Sequence, residues 1–488
     1  MKPELVILLL ICYFLILYFI SKITSKNTNN KTFYLAGKKA PWYIIAFGMI
    51  GSSISGVTFI SVPGWVVTSN FSYMQIVLGY FIGYLVIAYV LLPIYYKLNV
   101  TSIYTYLEHR FGVAAYKTGA VLFLVSRTIG SAFRLFIVSV VLQVAVFDHF
   151  NIPFYITVII TILLIWLYTY RGGIGTIIWT DVLQTVLLIL AVILTIVEIG
   201  QSLNLNFTEM IKSVADNPFS KTFYFDDWRS DKYFFKHFFS GMFITIVMTG
   251  LDQDLMQKNL SCKNLKDAQK NVVSYGMAFV PINLLFLTLG VLLVMYAQAN
   301  HIEIPLKTDE LYPTIAFGGA LSPIVAVSFI IGLIAAAYSS ADSALTALTT
   351  SFTVDILGFN HKNIDSPKAV KVRKIVHVGI SVLMVIVIIV FRAISDDSII
   401  SNIFRVAGYT YGPLLGMFAF GIFTKHNVKP IMIPIIGILS PIICYLLQIN
   451  AERLFSGYQV GYELLIINGL ITYLGLYFSR FRKQSEHR

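Results

Sequence analysis

Charge is what this chain has least of. Only 12% of its 488 residues are Asp, Glu, Lys or Arg, while 57% are hydrophobic. A soluble globular domain carries about a quarter charged residues, so a soluble enzyme or nucleic-acid-binding module is excluded. Cysteine is scarce too. Cys12, Cys262 and Cys444 lie far apart, which gives neither a disulfide framework nor a metal-ligand spacing. No nucleophile–base pair or metal constellation of an enzyme stands out, and no protein partner is implied. There is no linker long enough to divide the chain, so a single domain over 1–488 is expected.

What fills the chain instead is long apolar runs. A bilayer core of about 30 Å needs roughly 20 apolar residues per crossing helix. The pattern predicts thirteen spans, at 4–21, 41–67, 73–96, 118–147, 153–170, 176–200, 238–257, 271–298, 320–356, 370–393, 399–423, 428–449 and 460–479. The first run, Leu5 to Ile20, is long for a signal peptide and has no small-residue cleavage site after it, so it reads as a retained helix.

The net charge of +12 supports that count. With the N-terminus outside, the alternate loops 22–40, 97–117, 171–175, 258–270, 357–374, 424–429 and 480–488 hold 24 Lys and Arg. The other loops and termini hold 9, five of them in the long loop 201–237. Lys and Arg concentrate in short cytoplasmic loops, so an outside N-terminus and a cytoplasmic C-terminus are expected. Loop 201–237, with Phe223, Tyr224, Phe225 and Trp228, is expected to pack as an external cap.

Polar residues at membrane depth are costly and mark function by default. Span 41–67 carries Gly48, Gly51, Ser52, Ser53, Ser55, Gly56 and Thr58, then Pro63-Gly64. That density predicts an interrupted helix offering carbonyls to a cation and hydroxyls to a solute. Close helix packing through small residues is the plainer alternative. Span 238–257 is interrupted at Thr249-Gly-Leu-Asp252-Gln-Asp254, five spans later. Paired interruptions in two five-helix halves are the mark of an inverted-repeat transporter. Asp252 and Asp254 read equally well as a polar helix end at the cytoplasmic surface.

Span 320–356 contains Ala335-Ala-Ala-Tyr-Ser339-Ser340-Ala-Asp342-Ser343. At 100° per residue, Ala336, Ser339, Ser340, Asp342 and Ser343 share an arc of about 160°. Ser340 and Asp342 sit at its edges with Ser339 between, so one helix can serve two cation sites. Such oxygen ligands suit a hard cation. Asp181 is a further buried carboxylate, for a cation, a proton relay or a helix cap. Arg127 and Arg134, seven apart, face the same way, to hold an anionic solute or pair with an acid. Arg405 also falls inside a span.

These residues resemble the sodium:solute symporter family. The resemblance rests on five pieces in order: Ser53-Ile-Ser-Gly-Val-Thr-Phe-Ile-Ser-Val-Pro63; Thr101-Ser-Ile-Tyr-Thr-Tyr-Leu-Glu-His-Arg-Phe111; Gly172-Gly173 with Trp179-Thr-Asp181-Val-Leu-Gln184; Ala335 to Ser340; and Gly412-Pro413 with Gly421-Ile-Phe423. It implies an all-α membrane protein with a LeuT-like core of two inverted five-helix repeats at 41–423, an extra helix in 1–40 and two helices in 424–488.

It further implies sodium-coupled import of a small polar solute by alternating access. The main sodium site would use the carbonyls of Gly51, Ile54 and Ala336 and the hydroxyls of Ser339 and Ser340. A second would use Asp181, Ser339, Asp342 and Ser343, with Asp342 standing where the family pattern has serine. The solute would lie beside Ser53, Ser55 and Thr58. The first segment is closest to the sialic acid branch, for whose solute-contacting glutamine and arginine the candidates are Gln75, displaced in register, and Arg127 or Arg134. A proton-coupled carrier, or a symporter of an amino acid or carboxylate, is the alternative.

Overall fold

A computed structural model describes residues 3–25, 29–319, 321–359, 364–394, 399–455 and 458–481, apart from the side chains of 145, 394 and 399–405. Arg405 lies among those side chains. The chain is helical nearly throughout, with one two-stranded pairing of Asn427–Val428 against Arg480–Phe481. Among the described residues ten helices are long and apolar enough to cross a membrane, or eleven if one bent pair is a single span. Trp42–Ser53 and Leu464–Phe478 are apolar but shorter. The stretch Gly56–Leu98 counts once among the ten, although the chain turns within it at Asn70 (φ 54°). Asparagine tolerates that left-handed conformation better than most residues.

Outward faces carry large apolar side chains. Leu8, Leu15 and Phe19 of the first helix, Pro3–Thr24, are more than half exposed. Backbone polar groups are closed within helices, as a lipid environment demands. The centre belongs to helix Pro323–Ser351, called here the serine helix, of whose most apolar window 83% is buried. Ser322 caps its start and Pro323 occupies its first turn, where proline's missing N–H costs nothing.

Two interrupted helices flank it. Trp42–Ser53 ends when Ile54 (φ −81°, ψ 86°) leaves the helix, and Ser55 (ψ 169°) is extended before Gly56–Ser69 begins. The Gly-Ser run explains both the break and its packing. A Cβ on Gly48 would lie 2.9 Å from that of Asp181, and one on Gly51 would lie 2.3 Å from Thr185 Oγ1. Only glycine lets this helix approach Ile174–Ser202, the acidic helix, so closely. The second interruption separates Phe234–Gly250 from Gln253–Asn259, bent by 71°. Gly250 ends a π-turn, and extended Asp252 caps the short helix by accepting from Asp254 N–H at 2.8 Å. Five spans separate the two breaks, as expected.

The loop after residue 202 packs against one end of the bundle. Asn206 and Glu209 form a capping box at the start of Phe207–Ala215. Lys221 O accepts from Phe71 N–H and Tyr224 O from Phe234 N–H. Its aromatic rings cluster with one another, yet Phe223, Phe225 and Trp228 stay more than half exposed.

Candidate functional site

The first break, the acidic helix and the serine helix converge at one buried point. Helix Trp42–Ser53 stops short, so its last carbonyls, from Gly51 on, lack helical N–H partners. One of them is met from outside the helix: Ser340 Oγ donates to Ser52 O at 3.1 Å. Ser339 Oγ donates to Asp181 Oδ1 at 2.6 Å and lies 3.2 Å from Ser52 Oγ. Thr185 Oγ1 accepts from Gly51 N–H at 3.1 Å and donates to Asp181 O at 2.7 Å. Gly51, Ile54, Ala336, Ser339 and Ser340 are all buried. The structure therefore brings the break to the two serines expected beside it. Carbonyl and hydroxyl oxygens of this kind suit a hard monovalent cation.

The second predicted cluster is arranged differently. Asp342 Oδ2 accepts from Tyr168 OH at 2.8 Å, while Asp342 Oδ1 and Ser343 Oγ are buried without a partner among the described residues. Asp181 faces a residue that the sequence reading placed in a cytoplasmic loop. Lys258 is 1% exposed, and its Nζ donates to Asp181 Oδ2 at 2.6 Å and to Ser52 Oγ at 2.5 Å. Lys258 looked like one more topology-setting charge because the span was ended at residue 257. The helix runs on to Asn259, and the four-residue step from Asp254 to Lys258 was the signal available.

Beside the break lies a cavity lined by Ser53, Ser55, Thr58, Thr249, Tyr275 and Arg134, among others. Ser53 Oγ accepts from Tyr275 OH at 2.5 Å, which in turn accepts from Tyr84 OH at 2.8 Å. The two arginines differ in state. Arg127 is buried and paired with Asp254 and, at 3.7 Å, with Asp252. Both acids are fully buried, and Asp252 also accepts from Tyr411 OH. They are not a surface helix end. Arg134 lines the cavity and has no ion-pair or hydrogen-bond partner among the described residues. Gln75 is elsewhere. Its amide bonds to Ser72 O, Lys232 O and His237 Nδ1 and accepts from Tyr224 N–H, where the loop after residue 202 meets the helices.

Several known proteins are similar to this chain over most of its length. The sodium/sialic acid symporter NanT of Aliivibrio fischeri is 26% identical over 457 residues, 90% of this chain and 87% of that protein. The sodium/sialic acid symporter SiaT of Proteus mirabilis is 26% identical over 457 residues, 90% and 88% of the two chains. A solved sodium-coupled sialic acid symporter in a substrate-bound, outward-open state superposes with a TM-score of 0.80 at 22% identity, covering 97% of this chain and 96% of that one. Mhp1, a nucleobase-cation-symport-1 family transporter, gives 0.54 at 13% identity, covering 92% and 94%. These likenesses give the fold, which is LeuT-like. The model of the sodium:solute symporter family matches residues 33–430, and with four-fifths of its length so matched, this membrane-spanning chain belongs to the sodium:solute symporter family.

Proposed function

We propose that this chain imports an anionic sugar acid of the sialic acid class, coupled to sodium entry. One observation carries the solute assignment: Arg134 lines the cavity beside Ser53, Ser55 and Thr58 with no direct ion pair among the described residues, while Arg127 next to it is paired with Asp254 and Asp252, and Asp252 attracts Arg134 only at longer range. A half-buried guanidinium without a direct carboxylate partner is complementary to a solute that brings one, and the planar fork binds it bidentately. The serine hydroxyls and the Tyr84–Tyr275–Ser53 chain are suited to sugar hydroxyls. The names of the two bacterial relatives support the same class.

In this reading the main sodium is held by the carbonyls of Gly51, Ile54 and Ala336 and the hydroxyls of Ser339 and Ser340. Those groups belong to the first break and the serine helix, so holding a cation there joins the two. The joint favours one arrangement of the cavity over the other, which is how a bound ion shifts a conformational equilibrium. Thirteen spans are reached by counting the bent pair Phe234–Gly250 and Gln253–Asn259 as one span, joining Trp42–Ser53 to Gly56–Ser69, splitting Gly56–Leu98 at Asn70, and adding Leu464–Phe478. We place the N-terminus outside a cell membrane and the C-terminus in the cytoplasm, from the loop charges. The chain is a carrier and not an enzyme, with a core at 41–423 preceded by one helix and followed by two.

The test is uptake into proteoliposomes of labelled sialic acid, neutral sugars, amino acids and simple carboxylates, with sodium or choline outside at fixed pH. Accumulation of the sugar acid that needs sodium is expected. Uptake indifferent to sodium that collapses when a proton gradient is dissipated refutes the coupling. Preference for a neutral solute refutes the role of Arg134.

A further inference from the structure

The second cation site does not fit the residues around it, because the chain fills it itself. We propose that the Lys258 ammonium is a tethered cation occupying the Asp181 end of that site, so that no second sodium binds there and the carrier moves one sodium fewer per cycle than a two-site arrangement would. The proposal deepens the sodium-symport reading above and rests on it for the main site.

The geometry is that of a held ion. Nζ is 2.6 Å from Asp181 Oδ2 and 2.5 Å from Ser52 Oγ, and both ion-pair side chains are 1% exposed. Asp181's other oxygen is taken by Ser339 at 2.6 Å. The carboxylate thus has two hydroxyls and one ammonium, with Ser52 Oγ closing the ring at 3.0 Å from Asp181 Oδ2. Charge decides the rest. A sodium ion on Asp181 would stand about 4 Å from the ammonium. At a protein-like effective dielectric, two unit charges at that range repel by an amount equivalent to roughly a thousandfold in affinity. Asp342 and Ser343, the remaining predicted ligands, keep one unpartnered oxygen each and are left without their Asp181 half. The tether also joins three elements: the short helix of the second break, the first break through Ser52, and the acidic helix through Asp181.

The experiment counts bound sodium on purified full-length protein, by equilibrium binding of labelled sodium and by the slope of melting temperature against the logarithm of sodium concentration. Lys258→Met removes the charge and keeps the volume. It is expected to bind one more sodium per chain than wild type. Lys258→Arg keeps the charge and is expected to show the wild-type count. An equal count in wild type and Lys258→Met overturns the proposal. A merely structural role for Lys258 would change stability without adding an ion. Should Lys258→Met not be recovered as a monodisperse protein, the wild type decides: two sodium ions per chain overturn the proposal, and one supports it. Failure of the underlying reading is separate. It shows as no sodium bound at the main site in wild type, whatever the difference between wild type and variant.

Discussion

Replacing Ser340 by alanine tests the main site most directly. In the structure its hydroxyl donates to Ser52 O at 3.1 Å, at the ragged end of helix Trp42–Ser53. Without sodium, Ser340→Ala leaves that buried carbonyl one partner short, which costs about 1–3 kcal/mol of stability. With sodium the proposed site predicts a second loss, because one of its five ligand oxygens is gone. A hydrogen bond to a charged group is worth about 1.5–3 kcal/mol, and an ion–hydroxyl contact at this depth is taken to be of that size. The half-saturating sodium concentration should therefore rise about ten- to a hundredfold. The assay is thermal unfolding in detergent across a sodium series, with choline holding ionic strength constant. Binding stabilises in proportion to the logarithm of ion over dissociation constant, so the midpoint of that rise reads affinity apart from the offset in basal stability. Ser328→Ala is the control. It lies on the same helix but bonds only to Val325 O, and its sodium midpoint should match wild type. A Ser340→Ala protein that is less stable yet has an unchanged sodium midpoint would refute the site and leave the hydroxyl a packing role alone.

Arg134→Gln should weaken uptake of the acid-bearing solute about thirtyfold or more, since truncating one partner of a buried charged pair costs 2–5 kcal/mol. Its sodium-induced stabilisation should persist, and wild-type uptake kinetics would end the carboxylate assignment. Asp309 lies outside the spans, in a turn packed on helix Gly56–Ser69, and burial raises its carboxyl above the ordinary range, with Ser61 opposing and Glu310 adding. The folded state then binds that proton more tightly than the unfolded one, so its contribution is full at low pH and is lost as pH rises through the raised value. Asp309→Asn should gain on the order of 1 °C in melting temperature at neutral pH and nothing below the ordinary carboxylate range. An equal gain at both pH values would mean the charge is not the cause.

Much of this was legible because membrane burial turns polarity into position. The first break was readable from Gly48 to Gly56, since glycine and serine both weaken a helix and permit close approach. Ser339 and Ser340 were readable from their common arc beside Ala336. Arg127 and Arg134 could not be told apart, because seven residues bring both to one helix face and only the third dimension shows which meets Asp254. Gln75 was misplaced for the same reason: its neighbours Tyr224 and His237 arrive from 149 and 162 residues away. Asp252 and Asp254 left two readings open, since acids at a span's end look alike whether they face cytoplasm or an arginine. Lys258 was missed because one residue of uncertainty in a helix end converts a buried ion into a loop charge.

That residue also explains how a fragment as short as Gln253–Asn259 persists. Seven residues cannot hold a helix on their own propensity, so tertiary bonds must do it. Asp254 and Lys258, one turn apart, point to different neighbours: Arg127 on helix Val113–Ala145, and Asp181 on the acidic helix. Gln253 spans Thr101 O and Ile103 N–H, and Gln257 donates to Tyr34 O and Thr350. Every polar side chain on the fragment from 252 to 259 is buried. Separating either ion pair within a low-dielectric interior would leave two uncompensated charges, at a cost of several kcal/mol. The fragment can therefore move only as a unit with the helices it pairs to, or by finding another counter-charge at the moment it parts from them. The cavity proposed for the anionic solute lies beside it, lined by Arg127 and Arg134, and the main sodium site proposed at the first break lies beyond Asp181, on the Ser340 side of the serine helix. The ion pairs of the second break and the candidate sites of the first are two ends of one electrostatic arrangement.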